Sequence, residues 1–530
     1  MKAKFFLMFA SAAMLLAACS KDDIGSGGDD SGVVTDPKGK AWVALDIKTP
    51  SVAGTRALHD PNKEDGSSEE STVQTVRAIF FDAAEEVTED ITLTAAEAGD
   101  PGQPSGGVSD PFEVDATSKR ILIVANPGAD FPASFAQGIP YSTVNAALTV
   151  SDADVAGNVA ADGNFMMSNS KGRLEPSASA TDGTDADLKL YKTKELASAS
   201  PLAINIDRVV AKVRVNVENM SNIATISNPL WVLNVTNTKF FPVSERTLTW
   251  NENEANKGEG ARGTCITPFD QYRIGSYRVD PNYNTSDKSD YKVINDDIEI
   301  TNAPGSSQYC LENTQEEDFN QHQYTTQVLL KVQFVPNVYG RPNTTDMGTP
   351  DMNGDWIRIN GGFYTFETLK EWIAAELKSK YDDSGSARPS VTTVLTDALN
   401  RYFGATDIGQ VTLDLTGVNV NSLVSIFNGK IDQIKGHKAG TYDNFTYYAG
   451  GICYYRIMIK HDDTDKVWNK LGEFGVVRNS VYDINVSRFN NPGYPVIPPP
   501  GPDPDEEEGN YLSIQINVNP WTWYSQEEEF

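Results

Sequence analysis

The apolar residues of this chain recur mostly at every second position, the period of a half-buried strand. In AWVALDIKT, Val43, Leu45 and Ile47 alternate with Ala44, Asp46 and Lys48 until Pro50 ends the run. VQTVRAIFFD (73–82) and KRILIVANPG (119–128) carry dense Val, Ile and Phe between turn residues, and IDRVVAKVRVNV (206–217) reads as one alternating strand. Gly, Ser and Asp fill the connections, so this half predicts a mainly antiparallel sandwich with small helical pieces.

A second series of strands opens at PLWVLNVTNTKFF (229–241) and returns at YYAGGICYYRIMIKH (447–461) and FGVVRNSVYDINVSRF (474–489). Between them the period changes. In TFETLKEWIAAELKSKY (365–381), Phe366, Leu369, Ile373 and Leu377 recur at three and four, with Trp372 beside them, as on one helix face. VTTVLTDALNRYF (391–403) is expected to form a second short helix. NPGYPVIPPPGPDPDEEEGN then places seven prolines between Pro492 and Pro504, which cannot pair inside a sheet and read as a stiff acidic spacer. Beyond it Leu512, Ile514, Ile516 and Val518 face one way and Ser513, Gln515, Asn517 and Asn519 the other. The pattern predicts a strand at the far end of an extended arm.

The N-terminus adds an address. Lys2 and Lys4 precede an apolar run from Phe5 to Leu16 and small residues before Cys19, the layout of a secretory signal. The run is shorter than the roughly 20 apolar residues of a membrane span. Leu16-Ala17-Ala18-Cys19 is what a lipoprotein signal peptidase reads, so membrane attachment is expected through acyl chains on Cys19. Residues 20–40 are too polar to fold and read as a tether.

A net charge of −29, with 73 acidic against 44 basic residues, repels phosphate and argues against nucleic acid as a partner. After Cys19 the chain has Cys265, Cys310 and Cys453, enough for one disulfide, and export permits a bridge such as Cys265–Cys310 without the spacing demanding it. The length allows roughly two to four domains.

Candidate chemistry is sparse. His59, His322, His437 and His461 sit in polar or loop-like stretches, and none has a zinc spacing or a Ser-His-Asp setting. Asp382-Asp383-Ser384-Gly385-Ser386 imitates an adhesion-site metal motif but follows a Lys-rich helix end, so it reads as a loop. Asp351, Asn353 and Asp355 have the first calcium-loop spacing, yet Trp356 stands where the turn needs Gly, which predicts a solvated turn. Acidic pairs are too abundant to single out glycosidase carboxylates. The aromatics from Tyr447 to Tyr455 alternate as in cross-strand packing. No catalytic residue, metal or cofactor is expected.

Six features taken in order carry a resemblance: the lipobox, the strand ending near GTRALHD (54–60), FMMSNS (165–170), DRVVAKVRV (207–215), GVVRNSVYDINV (475–486) and the terminal strand with its WTW. Together they resemble the fimbrillins, or type V pilins, of Bacteroidales, the major subunit of the short fimbriae among them. Ser480 stands where the family's V-R-N-H-x-Y string has His.

The resemblance implies a mainly β fold of two sandwich-like domains, transthyretin-like and Greek-key, with a few short helices and a C-terminal donor strand. The implied division is a signal peptide at 1–19, a propeptide at 20–56, β domains at 57–220 and 221–491, a linker at 492–509 and the donor at 510–530. It also implies a lipoprotein precursor on the outer membrane, with Lys21-Asp22-Asp23 resembling a surface-export signal. There an Arg-specific protease cuts after the first strand, on this chain at Arg56-Ala57; the rival bond Arg77-Ala78 lies inside a predicted buried strand.

Under that resemblance Val43, Leu45 and Ile47 fill a groove until cleavage lets them leave, and the vacated edge accepts Leu512, Ile514, Ile516 and Val518 of a neighbour. Such head-to-tail contact does not close on itself, so it grows a fimbria. The implied partners are other copies of the chain, anchor and tip subunits, the protease, host or bacterial surface ligands, and the outer membrane before cleavage. The alternative is a glycan- or host-ligand-binding lipoprotein that stays anchored through Cys19 and does not polymerise. It predicts that residues 510–530 fold back onto their own chain.

Overall fold

The computed structural model describes residues 32–34, 38–49, 66–103, 106–150, 155–170, 188–246, 278–316, 319–340, 354–380, 420–434, 438–442, 445–461, 472–506 and 512–520. The fold is mainly β, as the alternation predicts, with two fifteen-residue helices and a few single turns.

The first half contributes β1 (Lys40–Val43), β2 (Leu45–Lys48), β3 (Thr75–Phe81), β4 (Val87–Thr94), β5 (Phe112–Asp115), β6 (Arg120–Ala125), β7 (Met167–Asn169) and β8 (Leu202–Arg208). Six of them form one sheet in the order β2-β8-β7-β6-β3-β4, while β1 pairs antiparallel with β5. Only the β2–β8 pair in that sheet is parallel. The central strands β3 and β6 are apolar on both faces because both are covered, and Ile79, Phe80, Phe81, Leu122 and Ile123 join one core. Arg77, the rival cleavage residue, is buried in β3, pairs with Asp90 of β4 and lies 5.6 Å from the Phe131 ring centre.

The second half contributes β9 (Val210–Val217), β10 (Ala224–Asn234), β11 (Ser307–Leu311), β12 (Gln327–Pro336), β13 (Trp356–Ile359), β14 (Gly362–Tyr364), α1 (Phe366–Lys380), α2 (Val420–Ile434), β15 (Gly440–Tyr442), β16 (Phe445–Tyr448), β17 (Ile452–Met458), β18 (Ser480–Phe489) and β19 (Leu512–Pro520). Sheet β11-β9-β18-β19 and sheet β10-β12-β17 enclose a second core around Trp231, Phe334, Tyr455, Tyr482 and Phe489. The free thiols Cys310 and Cys453 are buried in that core, and burial pushes the Cys310 thiol up to about 12. Cys265 lies outside the described residues.

The segment 206–217, read as one strand, divides at Val209 between the two sheets. Ile206 to Ala211 are all buried in succession, because here the chain passes from one core to the other and has no solvent side. Residues 210–217 therefore belong to the sheet of the second half.

Helix α1 appears where the three-and-four spacing predicts it. Phe366, Leu369 and Leu377 are buried against Leu423, Phe427, Ile431 and Ile434 of α2, with Trp372 and Ile373 half-buried beside them. Thr365 and Thr368 cap its start reciprocally, Thr365 N–H donating to Thr368 Oγ1 at 2.9 Å and Thr368 N–H to Thr365 Oγ1 at 3.1 Å. The expected helix at 391–403 lies outside the described residues, and α2, which sequence reasoning passed over, supplies the second helix.

Two expectations are corrected here. Asp355 is not in a solvated turn: its carboxylate accepts the Gly450 N–H at 2.7 Å and the Tyr447 hydroxyl at 3.1 Å, under a Trp356–Tyr448 stack with ring centres 3.8 Å apart. Asp351, Asn353 and the 382–386 string lie outside the described residues. The proline spacer is not an extended arm either. From Asn491 to Glu506 it is laid against the body, with Pro492, Gly493, Pro495, Pro498 and Asp505 buried.

Candidate functional site

The first and last strands hold the residues singled out from the sequence, and the structure puts them in different sheets. Along β1 and β2 the inward positions are Ala41, Val43, Leu45, Ile47 and then Thr49, none more than 3% exposed. The strand breaks at Ala44, where β1 leaves β5 and β2 takes up β8 in the register Leu202↔Leu45 to Asn205↔Lys48. Ser109 closes the break: its N–H donates to Leu45 O at 2.8 Å and its hydroxyl accepts Leu45 N–H at 2.9 Å. Trp42 and Tyr191 exchange backbone hydrogen bonds at 2.8 and 2.9 Å. The first strand thus sits at a sheet edge with a buried inner face.

Cys19, Arg56 and Ala57 lie outside the described residues. The chain is described again from Gly66, and it is at once fastened to the seam between the two cores. Arg208 Nε donates to Glu70 O at 2.7 Å and Arg208 Nη2 to Ser71 Oγ at 2.8 Å. A Cβ on Gly66 would stand 2.1 Å from that Nη2, so a larger residue there would push the Arg208 guanidinium aside. The Glu70 carboxylate accepts Lys212 Nζ at 2.8 Å, the Tyr309 hydroxyl at 2.6 Å and Ser67 N–H at 2.7 Å. Burial alone would raise its pKa, but these donors outweigh burial and hold it below the ordinary carboxylate value.

Sequence reasoning missed this seam, although its motifs contain it. Asn479 Nδ2 donates to Asp207 Oδ1 at 3.0 Å and Arg208 Nη1 to Asn479 Oδ1 at 3.4 Å. Arg478 donates from Nε to Glu312 at 3.2 Å and from its two terminal nitrogens to the carbonyls of Pro242 and Phe241. So Asp207 and Arg208 of DRVVAKVRV meet Asn479 of GVVRNSVYDINV beside the buried Arg478–Glu312 pair, where the two cores meet. The available signal was charge embedded in apolar strand sequence; removing one partner of such a buried pair costs about 3 to 5 kcal/mol.

The last strand, β19, lies antiparallel on β18 from Leu512↔Phe489 to Pro520↔Ser480, with a register shift between Val486 and Arg488. Leu512, Ile514, Ile516 and Val518 occupy its alternate positions, and Ile516 is half-buried against the second core. β19 is the edge of its sheet, as β2 is of the other.

Other chemistry is scarce. His322 and His461, expected in polar or loop-like settings, are buried, His461 with its Nδ1 2.7 Å from the Tyr482 hydroxyl. Among the described residues no three His, Cys, Asp or Glu side chains gather as metal ligands, and no helix is long and apolar enough to cross a membrane.

Two family profiles match the chain. Residues 43–204 match the major fimbrial subunit protein (FimA) family, and residues 446–527 match the C-terminal fimbrillin family of major fimbrial subunit proteins, type IV. No curated protein matches. Among solved structures, a fimbrilin of Porphyromonas gingivalis is similar over 92% of this chain and 99% of its own, at 12% identity and a TM-score of 0.40. A tip fimbrial protein of the same organism with a C-terminal truncation is similar over 58% of this chain and 84% of its own, at 13% identity and a TM-score of 0.27. Likenesses at that level carry no weight by themselves, and the assignment rests on the two family matches.

Proposed function

This chain belongs to the fimbrillin family of Bacteroidales, and we propose that it is a structural subunit of an adhesive cell-surface fimbria. In this reading it is exported as a lipoprotein through Cys19, activated by an Arg-specific protease at Arg56-Ala57, and polymerised by donating its C-terminal strand to a neighbour. Its partners are other copies of itself, anchor and tip subunits, and surface ligands on host or bacterial cells.

One observation carries the reading: what the first groove holds matches what the last strand offers. With Leu512 set on Val43, Ile514 falls on Leu45, Ile516 on Ile47 and Val518 on Thr49, while Tyr511 falls on Trp42. Val518 has the shape of Thr49, and Ile516 repeats Ile47. Burying four such apolar side chains is worth on the order of 6 to 12 kcal/mol before ordering costs. A neighbour's strand of this period can thus take the first strand's place, with the pocket of Val43 widened by one methylene for Leu512.

The pairing of β19 with β18 favours a second reading, the anchored ligand-binding lipoprotein that does not polymerise. One experiment separates the two. Residues 20–530 are treated with an Arg-specific protease and run unboiled on a gel. The fimbrial reading expects a ladder of oligomers that Arg56→Ala prevents. Monomer alone after cleavage at Arg56, or a ladder that survives deletion of residues 510–530, overturns it.

A further inference from the structure

The spacer before the last strand is tied down along its length. Asn491 O accepts the Tyr455 hydroxyl at 3.0 Å, and Gly493 O accepts the Tyr448 hydroxyl at 2.9 Å. Tyr494 and Tyr454 exchange both backbone hydrogen bonds, at 2.8 and 2.9 Å, as an added partner for β17. A Cβ on Gly493 would stand 2.2 Å from Tyr454 O, so this docking needs glycine at that position. Tyr494 and Ile497 cover Val232, Leu329 and Tyr454 on the outer face of sheet β10-β12-β17.

The far end is fastened as well. Asp503 O accepts His322 N–H at 3.1 Å, Asp505 N–H donates to Asn320 O at 3.2 Å, and the buried Asp505 carboxylate accepts the Thr325 hydroxyl. Glu506 lies 3.6 Å from Lys460 Nζ, which also holds Glu473 at 2.6 Å. Lifting this segment would uncover an apolar face and leave buried polar groups without their partners. Proline also leaves it little conformational entropy to regain on release.

We propose that Asn491–Glu506 stays on its own body when the last strand is donated, and that the spacer fixes the point of departure instead of supplying reach. The inference rests on the strand-exchange reading. It limits fibre geometry: the six residues from Glu506 to Leu512 reach roughly 20 Å when extended, whereas the chain from Asn491 to Leu512 as a polyproline helix would reach roughly 65 Å. The receiving groove must therefore come close to Glu506.

Two paired-cysteine variants of the 20–530 chain test this after oxidation and Arg-specific cleavage. Thr325→Cys with Asp505→Cys locks the spacer to the body; Asn485→Cys with Gln515→Cys, opposed across the β18–β19 ladder, locks the strand. The spacer lock should leave the ladder of oligomers intact, and the strand lock should abolish it until a reductant is added. A spacer lock that abolishes the ladder reversibly overturns the inference. A strand lock that leaves the ladder untouched instead overturns strand exchange itself. To separate docking from any effect on folding, the first variant is also assembled reduced and oxidised afterwards. The bond should form within each protomer as completely in the fibre as in the uncut monomer, and a tenfold drop refutes a retained spacer.

Discussion

The first and last strands share one alternating pattern and one kind of place, a sheet edge, yet they are held in different ways. β2 runs parallel to β8, the weaker of the two pairing geometries, and the strand's hold lies in the buried row from Ala41 to Thr49. β19 runs antiparallel to β18 along a ladder from Leu512 to Pro520, with Ile516 only half-buried. Under the strand-exchange reading this difference has a purpose. A strand held by pockets stays until the chain is cut, and its pockets are then worth refilling; a strand held by a ladder at an edge can peel and re-form that ladder elsewhere.

The comparison breaks first at Leu45. Leu45→Ala in the uncut chain should lower stability by about 2 to 5 kcal/mol, since the side chain is fully buried. Urea unfolding measures this, and a loss under about 1 kcal/mol would mean the first strand is not held by its pockets. Glu70 tests where the departing part ends, because it ties the retained chain to the seam. Glu70→Gln should cost about 1 to 3 kcal/mol near neutral pH. Its depressed folded pKa means that this stabilisation is present above the unfolded value of about 4.3 and is lost as pH falls through the folded value. The variant's melting temperature should therefore fall less steeply on acidification than the parent's.

Ile516→Ala should cost only about 1 kcal/mol in the uncut chain, because the side chain is half-exposed on its own body. The same change should weaken the protease-triggered ladder far more, because in the neighbour's groove Ile516 would take the buried place of Ile47. Equal effects on the two readouts would count against that register. The smallest effect is expected at the rim of the first strand. Lys48 pairs with Asp46 at 2.7 Å in the open, so Lys48→Ala should change stability by less than about 0.5 kcal/mol in the same urea experiment.

Strands with one wet face were legible in the sequence because their period is local: Val43, Leu45 and Ile47 alternate whatever lies beside them. Helix α1 was legible for the same reason. α2 was not, although Leu423, Phe427, Ile431 and Ile434 repeat at four, four and three, because Ser, Asn and Gly between them mask the face. The seam escaped because Asp207, Arg208, Arg478 and Asn479 look like solvent-side residues of alternating strands until the opposite element is known. The spacer escaped because proline excludes a sheet interior but not a bed on a sheet's outer face, where Tyr494 adds a single bridge beside Tyr454.

The order of polar and apolar residues was enough to determine that this is a mainly β chain with alternating strands at 43–47 and 512–518, and the summed charges that it is strongly negative. Each of those properties lies in consecutive residues or in their sum. Only the tertiary structure decided that β2 lies parallel on β8 and β19 antiparallel on β18, that Asp207 and Arg208 meet Asn479 at a buried seam, and that the spacer is docked. Those outcomes depend on which surfaces meet across hundreds of residues, and backbone edges and apolar faces accept many partners until packing selects one.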